Sequence, residues 1–440
     1  MIKTKRLAAR LPDGSQINSG DGIGRRRFLK LAALTGSSLG FLSAVPSIRA
    51  LTPEADHASS PAAPELLDFL KEIDDTAPWL TPAQAHGMTY TKKAEPWTMT
   101  ADQIRAAGLD REYWTLEILI DGKQPTAGGN TVRFSDLVSL AAKRPVRLFK
   151  CLTDPLGSEP LGHGLWEGVA VRDVIGQARL AEAVGMRRVN FFALDDGNPK
   201  NTPVDSSLAI SRVFEDPEGF PPVFLALKYN GDWISLRNGG PVRLIVPEGY
   251  ENKCPGFLKK IVMTRACISS EYAAKAGIDT ESPVKTCAMH LYSPAPDSKV
   301  AHGKPVVVAG LAQIGSDGLN RAQVAIVPAG TGTGKDDPWL TKLPWQDATI
   351  LPPPGNLGAD LPSGPAGAFG MDPKNGHPAQ WPLPFFICRF GTVVRNLAPG
   401  KYMACFRSID GYENAQPLPR PFDRSGVADQ ISHPVPFEVA

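Results

Sequence analysis

The segment R-L-F-K-C-L-T-D-P, residues 147–155, ends a short apolar run on Cys151 and follows it at once with an Asp-Pro turn. A cysteine in that place has three readings: a core residue closing a strand, a disulfide partner, or a ligand through sulfur. Nucleophilic chemistry at Cys151 needs the thiolate, and hence a neighbour that favours the anion. His163 is the nearest histidine in sequence, but a Pro/Gly-rich separation fixes no distance between the two. The seven histidines and six cysteines never gather at zinc-ligand spacing. The glycines of residues 330–334 lack the strand-to-helix setting of a phosphate loop. What remains is a series of anion-friendly groups in chain order. Lys92 and Lys93 come first, then Cys151 and Asp196, then N-G-G-P-V-R-L-I-V-P-E-G-Y-E-N-K at residues 238–253. In that last stretch Asn238, Arg243 and Lys253 flank a Gly-rich loop. Arginine as a planar fork and lysine as a point charge suit a phosphate there.

The elements that must position these groups are strand-rich. Y-W-T-L-E-I-L-I ends in an Asp121-Gly122 turn, and Phe134 leads into a helix with Ser135 or Asp136 as its cap. Residues 144–151 read as a strand that delivers Cys151, and residues 171–180 as a helix. Residues 188–194, 224–229 and 242–246 read as further strands. This mixture makes residues 86–290 an α+β region. Beyond about residue 300 helical periodicity fades. Short β-rich runs at 306–312, 323–327, 385–394 and 402–407, separated by Gly/Pro loops, have the look of a β-sandwich. Residues 329–381 are rich in Pro and Gly and are expected as a surface excursion.

The N-terminus carries Arg25-Arg26-Arg27-Phe28-Leu29-Lys30 before a weakly apolar run and a small-residue ending near Ala50. That layout is a secretory signal at residues 1–50. Its twin arginine is similar to the export signal that carries folded proteins, so an exported, periplasmic protein is expected. Residues 51–85 read as a linker with a short helix from Pro64. Lys plus Arg (47) nearly balances Asp plus Glu (45), which speaks against nucleic acid or an anionic membrane as partner. The 42 glycines and 42 prolines fit a loop-rich chain rather than a helix bundle. The six cysteines are scattered, with no C-x-x-C pair. A pair such as Cys388 with Cys405 is a candidate to bridge two neighbouring strands.

In combination these stretches resemble the sulfite oxidase-type molybdopterin-dependent oxidoreductases. L-K-Y-N-G-D-W-I-S-L-R-N-G-G-P-V-R-L-I-V-P-E-G-Y, residues 227–250, is similar to that family's N-G-x-x-L, H-G-x-P-x-R, strand and P-G series. Cys151 followed by G-L-W-E-G-V-A-V-R-D-V-I at residues 164–175 is similar to its cysteine and W-x-G-V-x-L-x-D-L-L. Residues 308–326, Trp345-Gln346-Asp347-Ala348 and the Gln416-Pro417 region resemble its dimerisation domain. The resemblance implies a molybdopterin-binding domain at 86–290 and an immunoglobulin-like dimerisation sandwich at 291–440. It implies Cys151 as the thiolate on molybdenum, with Lys92, Lys93, Asp196, Asn238, Arg243 and Lys253 around the pterin and its phosphate. It implies two-electron oxygen-atom transfer on a small oxyanion or sulfur compound, with sulfite a leading candidate. Reduction of a sulfoxide is a second candidate. With no haem motif in these residues, electrons would pass to a c-type cytochrome or a membrane redox subunit, and two chains would pair. The sequence departs from the pattern in three places: L-T-D-P follows the cysteine, Asn238 replaces a histidine, and Gly256 stands where a lysine is expected. Those departures motivate the alternative of a cofactor-free exported binding protein that kept the fold.

Overall fold

The computed structural model describes residues 62–76, 80, 98–153, 162–194, 206–266, 281, 283–331, 337, 340–358, 360–416 and 434–440. The chain divides into two units, 1–55 and 56–440, and every described residue belongs to the second. The expected export signal, Lys92, Lys93 and Asp196 lie outside the described residues.

Two sheets carry the first part. In one, the order is β2 (Thr131–Arg133), β1 (Thr115–Ile120), β10 (Lys260–Thr264), β5 (Arg188–Phe192) and β6 (Ser206–Ala209). β1 and β10 run parallel and the other pairs are antiparallel. β1 shows why a strand forms here: its apolar residues alternate, with Leu116, Ile118 and Ile120 buried. Asp121 and Gly122 then turn the chain at φ 51 and 77. The second sheet orders β3 (Val146–Leu152), β4 (Gly162–Ala170), β7 (Phe224–Tyr229) and β8 (Asp232–Trp233), with β9 (Arg243–Ile245) also on β7. All nine residues of β4 are buried, so the sheet is covered on both faces. Gly168, at a register shift against β7, is forced by this packing. A Cβ there would lie 1.8 Å from the Leu225 carbonyl oxygen.

Helices are short and few: α1 (Pro64–Thr76), α2 (Ala101–Ala106), α3 (Phe134–Lys143), α4 (Val171–Glu182) and α5 (Ile210–Phe214). The expected cap of α3 is displaced. Arg133 is the N-cap residue, and Asp136 reaches back to accept its backbone N–H at 2.8 Å. The carboxylate satisfies an otherwise orphaned donor from inside the first turn rather than from the cap itself. α1 is docked against the later strands, with Leu66 buried beside Ala309 and Leu351 and Glu65 paired to Arg395 at 2.7 Å.

The second part is an eight-strand path: β11 (Cys287–Ser293), β13 (Val306–Gln313), β16 (Ile387–Val394), β15 (Gln346–Ile350), β14 (Arg321–Pro328), β17 (Gly400–Ile409), β18 (Val435–Val439) and β12 (Ser298–Val300). It folds over on itself. Phe390 of β16 and Phe406 of β17 face each other at 6.4 Å between ring centroids, inside one apolar core with Val308, Val324 and Phe437. The sandwich look of the sequence thus has its physical basis in inward-facing apolar residues from both halves of the path. The protein is α+β.

Two expectations are corrected here. Cys388 and Cys405 are both free and both buried. Cys388 lies opposite Ala312 and Cys405 opposite Ala325, and β15 and β14 intervene between β16 and β17 in the sheet. Residues 329–381 are no surface excursion either. They supply β15, and Leu357, Ala368 and Met371 pack on Phe149, Leu165, Leu383 and Phe386. Phe369 N–H donates to the Arg147 carbonyl at 2.8 Å, and Arg147 returns a bond to the Ala366 carbonyl. The second face of β3 and β4 is apolar and must be covered. The Pro and Gly residues only turn the covering chain between its anchors.

Candidate active site around Cys151

β3 presents its residues alternately. Leu148 and Leu152 enter the core of the first part, whereas Phe149 lies under residues 357–386 and Cys151 packs against Leu311 and Ile387 of the sandwich. Cys151 therefore sits where the two parts meet, and its N–H donates to the Phe385 carbonyl at 2.8 Å. Its register partner on β4 is His163, which shares that face of the sheet and lies edge-on to Phe386 at 5.0 Å. Sequence separation concealed this pairing. The antiparallel return of β4 produces it.

Lys150 is the residue the sequence reading passed over. It is fully buried, and its ammonium donates to the carbonyls of Pro247 and Gly249, both at 2.8 Å. These bonds tie β3 to the loop that follows β9. Burial lowers the Lys150 pKa, with the nearby Cys254 and Cys151 pulling the other way and Arg243 adding to the depression. The only sequence signal was a lysine in a mostly apolar strand, a pattern that solvent-facing positions also produce.

Arg243 is likewise fully buried at the start of β9. Its Nη1 donates to the Asn238 carbonyl at 3.1 Å, its Nη2 stands 3.9 Å from Glu251, and its guanidinium lies 5.7 Å from the centre of the Trp166 ring. Asn238 closes a short 3-10 turn, Leu236–Asn238, and its Oδ1 accepts from Ser235 Oγ at 2.6 Å. Gly239 follows in the left-handed region at φ 86, and a Cβ on Gly256 would fall 2.5 Å from its Cα. The position where a lysine was expected must therefore be glycine, because two backbones meet there. Lys253 ends a second 3-10 turn, Glu251–Lys253, and is half-buried. Asn238 and Lys253 thus lie on two short turns and Arg243 at the start of β9 between them, beside the loop that Lys150 holds.

The donor set fits a molybdenum–pterin group. Burial pushes the Cys151 thiol far above its usual range, with Lys150 opposing and Cys287 and Glu251 reinforcing the shift. Such a sulfur stays protonated unless a metal takes the proton's place, and coordination to a metal does so outright. Buried cations are costly to desolvate and suit an anionic ligand in return. Among the described residues no group of three or more His, Cys, Asp or Glu side chains forms a metal cage.

Comparison with known proteins agrees with this chemistry. The family described as oxidoreductase molybdopterin binding domain matches residues 103–272. The chain is similar to a nitrate reductase [NADPH] of Pichia angusta, 28% identical over 109 residues, which is 24% of this chain and 12% of that protein. It is 27% identical over 109 residues to the corresponding enzyme of Leptosphaeria maculans, covering 24% of this chain and 11% of that one. The match thus spans about an eighth or less of the length of these relatives. Among solved structures, the sulfane dehydrogenase SoxCD of Paracoccus pantotrophus is similar over 70% of each chain, at 18% identity and a TM-score of 0.47. Residues 103–272 match an oxidoreductase molybdopterin-binding domain, of the kind the sulfite oxidase resemblance implied.

Proposed function

We propose that the protein is an exported molybdenum–molybdopterin oxidoreductase that transfers one oxygen atom to or from a small oxyanion or sulfur compound. The observation that supports this reading most is the assembly of the buried Cys151, Lys150, Arg243 and Asn238 with the half-buried Lys253 inside the matched domain. The cofactor, when bound, supplies the two-electron chemistry. The chain's own residues do the rest. Cys151 offers a soft sulfur ligand at the end of a rigid strand. Arg243 and Lys253 present positive charge to the cofactor's phosphate. Lys150 fixes the loop between them, and the apolar cover of Leu311, Ile387 and Phe386 excludes water from the sulfur.

The relatives that the segment matches are named for nitrate reduction, which favours a small oxyanion as substrate class. Sulfite oxidation is the leading candidate in the oxidative direction: sulfite gains one oxygen from water, and two protons and two electrons leave. A c-type cytochrome or a membrane subunit receives the electrons; no C-x-x-C-H haem motif occurs in these residues. The twin arginine at Arg25-Arg26 supports export in the folded state, and the sandwich is the surface through which two chains pair. The test is a panel of sulfite, thiosulfate, sulfoxide, nitrate and chlorate, offered to purified, metal-loaded protein with an artificial electron carrier. Turnover of one oxyanion or sulfur class, with oxygen gained or lost, is expected. Full loading with no turnover of any member contradicts the reading.

A further inference from the structure

Cys151 is followed two residues later by Thr153, which is buried and makes two contacts that, with one from Cys151, fix the end of β3. Its hydroxyl donates to Gln313 Oε1 at 2.6 Å, its carbonyl accepts from the Glu251 N–H at 2.9 Å, and Cys151 itself is held to Phe385. Gln313 lies at the end of β13, in the sandwich, and is also buried. Its amide is oriented from both ends. The oxygen accepts from Thr153, and Nε2 donates to the Lys285 carbonyl at 2.9 Å while standing 4.0 Å from Cys287 Sγ. Glu251, on the other side of Thr153, belongs to the turn that reaches Arg243 and Lys253. One threonine thus joins the sandwich to the phosphate-side turn, with the candidate metal ligand one residue removed from it.

We propose that Gln313 is a positioning residue for the metal site: through Thr153 it fixes the direction in which Cys151 delivers its sulfur to the cofactor. A buried amide that has one acceptor and one donor engaged cannot rotate without orphaning a polar atom. Thr153 can therefore shift only if the sandwich strand shifts with it. Ligand placement to within about half an ångström is the degree of control that such sites need. The inference rests on Cys151 being the molybdenum ligand.

The experiment compares full-length Thr153→Val and Gln313→Leu with native protein and with Thr153→Ser, by two readouts. Amide hydrogen exchange of the peptide carrying Cys151 and Thr153 is read whether or not metal is present. X-ray absorption at the molybdenum edge reads the sulfur ligation of loaded protein. Both apolar variants should speed exchange of that peptide by about tenfold or more and alter the molybdenum–sulfur distance or number. Thr153→Ser, which keeps the hydroxyl, should match native in both. The double variant should change exchange no more than the larger single one, since the two side chains act through one bond. Native exchange and native sulfur ligation in Thr153→Val and Gln313→Leu would overturn the proposal. So would altered exchange with unchanged ligation, because Gln313 would then hold the strand without setting the sulfur. Absence of molybdenum from native protein is a different result: it removes the Cys151 reading itself, whatever the exchange data show.

Discussion

Two cysteines, Cys151 and Cys388, are buried equally well and by burial alone cannot be told apart. Both are free thiols, and burial raises the pKa of both far above the usual range. Their neighbourhoods differ. Cys388 lies in the sandwich core beside Phe390 and Phe406, opposite Ala312 across the ladder; the buried Arg389 adjoins it in the chain, but burial and a backbone hydrogen bond from Ala312, not a cation, govern its thiol. Cys151 has apolar residues on its own face, but a fully buried lysine precedes it, Arg243 and Glu251 lie beyond, and His163 stands across the strand. Burying an ammonium and a guanidinium this way lowers stability unless something anionic or carbonyl-rich receives them. A buried thiol is therefore no sign of a site. A buried thiol among buried cations is.

The comparison breaks most readily through large changes. Phe390→Ala should cost about 3–5 kcal/mol of stability through the cavity it leaves. The molybdenum bound per folded chain should not change, which denaturant unfolding and metal analysis on the same sample would check. Arg243→Met should cost about 3 kcal/mol, by leaving the buried Glu251 carboxylate without its cation, and should also lower pterin content. If metal loading follows Phe390→Ala as closely as Arg243→Met, the two regions are not functionally distinct. Lys150→Met should destabilise by about 1–3 kcal/mol, since the carbonyls of Pro247 and Gly249 lose their donor. An unchanged melting temperature would show that water replaces the ammonium.

The remaining effect is a pH slope in the sandwich and its border. Burial holds Cys287 at about 12 and Cys405 at about 11, whereas an unfolded thiol titrates near 8.5. The unfolded chain thus loses these protons first as pH rises. Stability from these groups is full below about pH 8.5 and declines from there to about pH 11 for Cys405 and about pH 12 for Cys287, by the linkage between proton binding and folding. Iodoacetamide at pH 8 should leave Cys287, Cys388 and Cys405 unmodified in native protein and alkylate all three after unfolding. Rapid native alkylation of Cys405 would contradict its burial.

Much of the fold was legible because the relevant signals are local. The alternation in T-L-E-I-L-I and the Asp-Gly turn after it placed β1, and the run at Phe224–Tyr229 was read with its observed bounds. The reading of residues 188–194 as one strand runs two residues past Phe192, the last residue of β5. Local pattern failed where distant chain decided the outcome. Residues 329–381 look like a loop by composition, yet they are anchored by Leu357, Ala368 and Met371 on a face of β3 and β4 that lies some two hundred residues away. The site divides in the same manner. Cys151, Asn238 and Arg243 were found through short motifs, whereas Lys150, Gln313 and the Cys151–His163 register depend on strand pairing and on contact between the two parts.

The most direct test of the central claim is molybdenum analysis, with X-ray absorption at the metal edge, on native protein, Cys151→Ser and Cys388→Ser. The account predicts near-stoichiometric metal in native protein and in Cys388→Ser, with the same sulfur ligation in both. Cys151→Ser should lose one sulfur from the metal, together with its activity. Native protein without molybdenum, or a Cys151→Ser variant with unaltered sulfur ligation, would contradict it and return Cys151 to the same standing as Cys388, a residue of the core.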